Sequence, residues 1–219
     1  MKLNDKVLVK LHRIYINLPK NISTRVPKTF MVGGGGKKTI RKAGFIPPVI
    51  HSPTEFFTDA SIMAQGYSAQ IGVGLWHVGG HESWRLTTAT NQKADINHAE
   101  LGALLIAVLR LPHGNNRITI FTDSLTSIKV LRGDISCEQY EPLVRCIRHI
   151  VDDYPGSITF AKVKGHSGVV GNENADFLAR YAINSPSRVF WMPEDVSTHE
   201  YCIRNPGEVI EKVRRANGL

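Results

Sequence analysis

KVKGHSGVVGNENADFLARYAI, Lys162 to Ile183, decides how the chain is read. A loop in which Gly165, Gly168 and Gly171 surround His166 runs into a helical segment; Asn172 is placed as its cap and Asp176 falls in its first turn. Three further acids close or open other elements: Asp59 in FFTDAS, Asp123 in IFTDS and Glu100 in NHAELGALLIAVL. Four acids drawn from separate elements are hard to account for as scattered surface charge. They point to one metal-binding cluster.

Working outward, Phe56 to Asp59 is a β-rich run, and a turn near Gln65 and Gly66 leads into a Gly-rich strand, AQIGVGLWHV. Ser83 to Ala89 makes a third strand of an antiparallel meander. Asn97 to Leu111 reads as a helix capped by Asn97 and stopped before Pro112. Arg117 to Thr122 is a strand ending at Asp123, followed by a short helix from Ser124 to Leu131 and a longer one from Glu138 to Tyr154. Ser157 to Val163 is the last strand expected. Strands first, then alternating helices and strands, predict an α/β domain with a mixed sheet covered by helices. The stretch from Ser185 reads as an irregular tail through FWMPEDV, closed by a small helix, PGEVIEKVRRANG.

The organisation expected is therefore a basic extension with a Gly-rich joint (1–53), a catalytic body (54–184) and a tail with a short helix (185–219). The formal charge of +8 sits in the extension. Residues 1–52 hold eleven Lys or Arg against the single acid Asp5, so residues 53–219 are slightly acidic. A basic arm on an acidic body suits a polyanion; the arm also has the composition of a mitochondrial targeting segment. Gly33 to Gly36 before Lys37 does not make a phosphate-binding loop, because Met31 stands where that motif needs a glycine and Lys38 where it needs Ser or Thr. Cys137, Cys146 and Cys202 form no CxxC pair, which argues against a zinc site and a disulfide framework and for a reducing, intracellular setting. Mitochondrion and nucleus both stay open. The longest apolar run, Leu101 to Leu109, is about half of the roughly 20 residues that span a bilayer, so no membrane partner is expected.

The chemistry follows from the acids. Asp59 alternates with Phe57 and so shares a face with a residue expected to be buried. Two carboxylates about 4 Å apart repel by roughly 4 kcal/mol at an effective dielectric near 20, so four would not assemble without a cation. Mg²⁺ takes oxygen ligands and keeps waters for chemistry, and a pair of such ions suits phosphodiester hydrolysis. His166, on its Gly-rich loop, suits proton transfer.

Taken in order, Asp59 in TDAS, Glu100 in NHAEL, Asp123 in FTDS, His166 in VKGHSG and Asp176 in GNENADFLA resemble the ribonuclease H family, including the domains attached to reverse transcriptases of retroelements. The resemblance covers residues 55 to 183. It implies an α/β ribonuclease H-like fold, a five-stranded mixed sheet flanked by helices. It implies endonucleolytic hydrolysis of the RNA strand of RNA–DNA hybrids, leaving a 3′-hydroxyl and a 5′-phosphate. By the same resemblance, Asp59, Glu100, Asp123 and Asp176 hold two Mg²⁺ ions, for which Mn²⁺ can substitute, and His166 assists proton transfer or product release. Asn97 and Ser124 match positions that contact the hybrid.

Leu125 departs from the family, many of whose members carry a Gln there, and the short link from Leu131 to Glu138 leaves no room for the basic protruding helix of the bacterial enzymes. Grip on the substrate is then expected from the basic leader, or from a polymerase or larger nucleoprotein assembly as partner. A second reading is a catalytically unused ribonuclease H-like fold that serves as a structural or nucleic-acid-binding component of such an assembly.

Overall fold

The computed structural model describes residues 53–63, 69–86, 94–136, 138–184, 188–190 and 204–219. The chain divides into two units, Met1–Ile50 and His51–Leu219. The basic leader, its glycine run, the turn at Gln65 and Gly66, Cys137, Cys202 and the stretch from 191 to 203 lie outside the described residues.

Three strands, β1 (Glu55–Met63), β2 (Gln70–His77) and β3 (Gly80–Leu86), form the antiparallel meander. Strand β4 (Arg117–Thr122) then pairs parallel to β1, and β5 (Ser157–Lys162) parallel to β4. The sheet has six strands, not five. Residues Arg188–Phe190 form β6, parallel to β3, and complete the order β5-β4-β1-β2-β3-β6. Three residues are too few to show a period of two, which is why this strand reads as irregular tail in the sequence. What holds it is tertiary: the Phe190 ring, fully buried, meets Trp84 edge-on at 5.8 Å, and the Arg188 guanidinium lies over the same indole.

Helices cover both faces. Helix α1 (Ile96–Leu109) is buried from His98 through Val108, as its nearly unbroken apolar sequence requires. Helix α2 (Leu125–Arg132) starts at the Ser124 cap and stops at Gly133, whose φ of 85° is left-handed. After one 3₁₀ turn at Glu138–Tyr140 comes α3 (Glu141–Asp153), with Pro142 in its first turn. Leu143, Val144, Ile147 and Ile150 of α3 join the core formed by α1 and by Ile71, Val73 and Leu75 of β2. Helix α4 (Val170–Asn184) takes the opposite face of the sheet. It lies so close to β2 that a Cβ on Gly72 or Gly74 would overlap the carbonyls of Ala179 and Ala175, so the glycines of this strand are there for helix contact. Helix α5 (Pro206–Asn217) buries Val209, Ile210 and Val213 in the core it shares with α3.

Two caps differ from the sequence reading. Asp95, not Asn97, caps α1: its Oδ1 accepts the His98 N–H at 2.9 Å. Both residue types cap well; the tie-breaker is long-range, since the Tyr140 hydroxyl donates to the other oxygen of Asp95. Helix α4 begins at Val170, so Asn172 lies inside it and Asp176 falls in the second turn. The Glu173 N–H already bonds Val169 O at 3.0 Å, and Glu173 Oε1 reaches back to the Gly168 N–H at 3.2 Å. That side-chain return satisfies a backbone donor just ahead of the helix.

Because β6 and α5 share the core, Phe190→Ala should lower the unfolding free energy by about 3–5 kcal/mol, the usual cost of a buried Phe. Urea denaturation measures it. An unchanged midpoint would mean that the stretch after Asn184 is not part of the cooperative unit.

Candidate active site

The site forms where two parallel strands part. β1 and β4 pair from Glu55↔Thr119 to Phe57↔Phe121, where the two rings stack at 4.7 Å, and there the ladder ends. Asp59 and Asp123 each stand two residues beyond that last pair, so the same register sets their side chains next to one another. The carboxyl ends of parallel strands are the usual place for a ligand crevice in an α/β sheet. Glu100, in the second turn of α1, reaches the same point. Ligand oxygens of Asp59, Glu100 and Asp123 all lie within 4.8 Å of one another.

Burial makes this arrangement costly. Asp59 is 7% and Glu100 5% exposed. Desolvation first, and then the neighbouring Asp123 charge, push the Asp59 carboxyl up to about 7, although the Ala60 N–H at 2.8 Å stabilises its ionised form. Desolvation followed by the charges of Asp59 and Asp123 raises Glu100 to about 9. Glu100 Oε2 is buried with no hydrogen-bond partner, a position a native core rarely tolerates. A carboxyl oxygen left without a partner among other acids fits a hard divalent cation, whose charge would favour the ionised form.

Asp176 stands in a neighbouring group. Its ligand oxygen, Glu173 and His166 lie within 4.8 Å of one another. The Arg180 guanidinium, one turn further along α4, donates to Asp176 Oδ2, and His166 Nδ1 is 3.9 Å from the same oxygen. Burial raises the Asp176 carboxyl, and Arg180 and then His166 oppose the rise. The four acids therefore form a trio, Asp59 and Glu100 buried and Asp123 half-buried, with Asp176 beside it, near enough for its charge to act on Asp59. Glu173 and Arg180 escape the sequence reading, although the spacing Glu173, Asp176, Arg180 places all three on one face of a helix.

The loop between β5 and α4 brings in His166. Its φ of 50° is left-handed, followed by Gly168 at 82°, and its side chain is 77% exposed. Gly165 lies against Asp123: a Cβ there would overlap the carboxylate. Asn97 is half-buried in the first turn of α1, one turn before Glu100. The Ser124 hydroxyl is occupied locally, accepting the Ser127 N–H at 3.3 Å and sharing a hydrogen bond with Ser127 Oγ at 2.8 Å. Leu125 is among the exposed large hydrophobic residues.

The ribonuclease H family profile matches residues 51–184, more than half of the chain. The chain belongs to the ribonuclease H family. That family comprises hydrolases of RNA in RNA–DNA hybrids, and ribonuclease H activity is the enzymatic assignment at that level. Solved structures similar to this ribonuclease H include RNase H1 of the halophilic archaeon Halobacterium salinarum, at 22% identity and a TM-score of 0.45, covering 59% of this chain and 96% of that one. LC11-RNase H1 in complex with an RNA/DNA hybrid is similar at 21% identity and a TM-score of 0.43, with 59% and 96% covered. The N-terminal RNase H domain of a Mycobacterium tuberculosis protein, solved as a fusion with maltose-binding protein, shares 18% identity at a TM-score of 0.42, with 60% and 94% covered. No curated protein sequence matches. Among the described residues no helix is long and apolar enough to cross a membrane.

The raised carboxyls set a pH dependence for the metal-free protein. A carboxyl whose folded pKa lies above its unfolded value contributes stability at low pH that is lost as pH rises through the folded value. For Asp59 that loss runs from about 4 to about 7, and for Glu100 from about 4.5 to about 9. In EDTA, the melting temperature of Glu100→Gln should therefore gain on wild type as pH is raised from about 5 to about 9. Added Mg²⁺ should raise the wild type more than the variant. A difference between the two proteins that stays constant with pH would show that Glu100 is not held among like charges.

Proposed function

We propose that this ribonuclease H cuts the RNA strand of RNA–DNA hybrids with two divalent cations, Mg²⁺ or Mn²⁺, held by Asp59, Glu100, Asp123 and Asp176. The observation that carries the reading is the convergence of Asp59, Glu100 and Asp123 at the end of the β1–β4 ladder, with a buried Glu100 oxygen lacking any partner. When bound, the cations supply positive charge to the scissile phosphodiester and lower the pKa of a coordinated water. The chain's own residues do the rest. Asp59 and Glu100 are buried at the end of the β1–β4 ladder, which favours oxygens already in place before the substrate arrives.

His166 takes the proton-transfer role. With Nδ1 turned to Asp176, Nε2 is the nitrogen left for the departing oxygen. Its exposure leaves the imidazole free to meet a substrate that covers the loop. Asn97, in the first turn of α1, takes the hybrid contact, where meeting 2′-hydroxyls distinguishes RNA from DNA. The Ser124 hydroxyl is engaged in capping α2, so any contribution it makes to binding comes through the position of that helix. The basic leader, with its eleven Lys or Arg in residues 1–52, supplies grip through phosphate contacts.

The test is a cleavage panel of RNA–DNA hybrid, duplex RNA and duplex DNA with Mg²⁺. Hybrid alone should be cut, and EDTA or Asp123→Asn should abolish cutting. Activity that survives Asp123→Asn rules out the cluster as the catalytic centre, and a folded wild type that cuts nothing makes the domain a scaffold. His166→Ala should slow turnover by about a hundredfold while leaving the Mg²⁺-induced rise in melting temperature intact. Removing residues 1–50 should weaken hybrid binding and flatten its salt dependence; an unchanged salt slope would take the leader out of the interface.

A further inference from the structure

Lys162 is the last residue of β5, paired in register with Thr122 at the end of β4. The Val163 N–H to Thr122 O bond, at 3.0 Å, is the final rung between the two chains. Beyond it both chains leave the sheet, one into Asp123 and the other into the loop that carries His166. Two main-chain carbonyls, of Asp123 and Val163, then lie within reach of one ammonium group. Lys162 Nζ donates to both, at 2.7 Å for Val163 and closer still for Asp123. Two carbonyl oxygens brought together repel, and a cation between them turns that repulsion into attraction.

The same loop meets Asp123 a second time, because Gly165 packs on its carboxylate with no space for a side chain. Asp123 is thus gripped at its carbonyl by Lys162 and walled at its carboxylate by Gly165. Gly165 precedes His166, which sits at a left-handed φ with its side chain 77% exposed and its Nδ1 3.9 Å from Asp176. A third link, Ser167 Oγ to Lys164 O at 2.6 Å, closes the loop on itself but does not attach it to β4. Among the described residues, the Lys162 ammonium is the polar contact that continues the β4–β5 ladder past its last backbone rung.

We propose that Lys162 is a positioning residue for the hydrolysis, locking the His166 loop to the backbone of Asp123 so that the histidine and the buried carboxylates keep one spacing. It touches neither substrate nor metal in this role. The inference rests on the proposed function of the site, and it concerns a residue to which the sequence reading gives no role beyond its place at the end of the last strand. Lysine serves because its stem spans from the strand to both carbonyls and its head offers three donors. Arginine, also a multiple donor, can replace it; methionine, matched in length and without donors, cannot.

The experiment compares Lys162→Met and Lys162→Arg with wild type in the full chain. Lys162→Met should lower kcat on the hybrid by about tenfold, with KM and melting temperature near wild type, since small misplacements of catalytic groups act on turnover. Lys162→Arg should recover most of the loss. Independently of activity, amide exchange at 163–168 in metal-free protein should quicken in Lys162→Met and not in Lys162→Arg. Wild-type turnover together with wild-type exchange in Lys162→Met overturns the proposal. So does a fall in kcat that Lys162→Arg fails to relieve, or one matched by a fall in melting temperature. If the wild type itself does not cut, the hydrolytic reading fails, and the exchange rates still decide whether Lys162 holds the loop.

Discussion

The described core is arranged around carboxylates that repel one another where the fold has withdrawn most of their surface from solvent. Asp59 and Glu100 are almost wholly buried and Asp123 completes their group, so the folded chain carries an electrostatic penalty at its centre. Taken alone such a cluster would loosen its surroundings. Here the surroundings are rigid. The Phe57 and Phe121 rings stack directly beneath the two aspartates, and Thr58 and Thr122, between ring and acid in each chain, are fully buried.

The two helix layers explain how that rigidity is supplied from both sides. Helix α1 brings Glu100 in on a segment buried through eleven successive residues, so it has no freedom to roll the carboxylate toward solvent. Helix α4 approaches from the other face across Gly72 and Gly74, and Gly171 at its start lies on the Phe57 ring. The same ring therefore stands two residues before Asp59 on β1, stacks on Phe121 and seats the helix that carries Asp176.

Much of this was legible in the sequence, and the parts that were not share a cause. The alternation of Phe57 and Asp59, the strand ending at Asp123 and the apolar run around Glu100 each carry a local pattern, and the structure sets those elements where the patterns put them. The PGEVIEKVRRANG segment is helical as its caps imply. Strand β6 was hidden because three residues have no period; its stability comes from Trp84, about a hundred residues earlier in the chain. The Asp95 cap was hidden because Asn97 is an equally good local candidate, and the deciding contact comes from Tyr140. Glu173 and Arg180 were overlooked for a different reason: their spacing is legible, but a charged residue on an exposed helix face is common, and only the position of His166 gives these two a meaning.

The site divides into two halves with different physics. In the inner group Asp59 and Glu100 are buried and Asp123 half-buried, so water and salt screen the charges weakly, and desolvation followed by the neighbouring charges governs the protonation of Asp59 and Glu100. In the outer group, Arg180 is 60% and His166 77% exposed, and their hold on Asp176 is a surface interaction, worth little and weakened by ionic strength. Asp176 is the hinge between the halves. Its charge reaches Asp59, while its hydrogen bond goes to Arg180. A weak partner is what such a position requires. An arginine bound as firmly as in a buried pair would keep the carboxylate from ever turning inward, whereas with no partner the acid would stand unpaired beside three others. The pairing with Arg180 opposes the rise that burial imposes on the Asp176 carboxyl, and it is weak enough to be given up to a divalent ion.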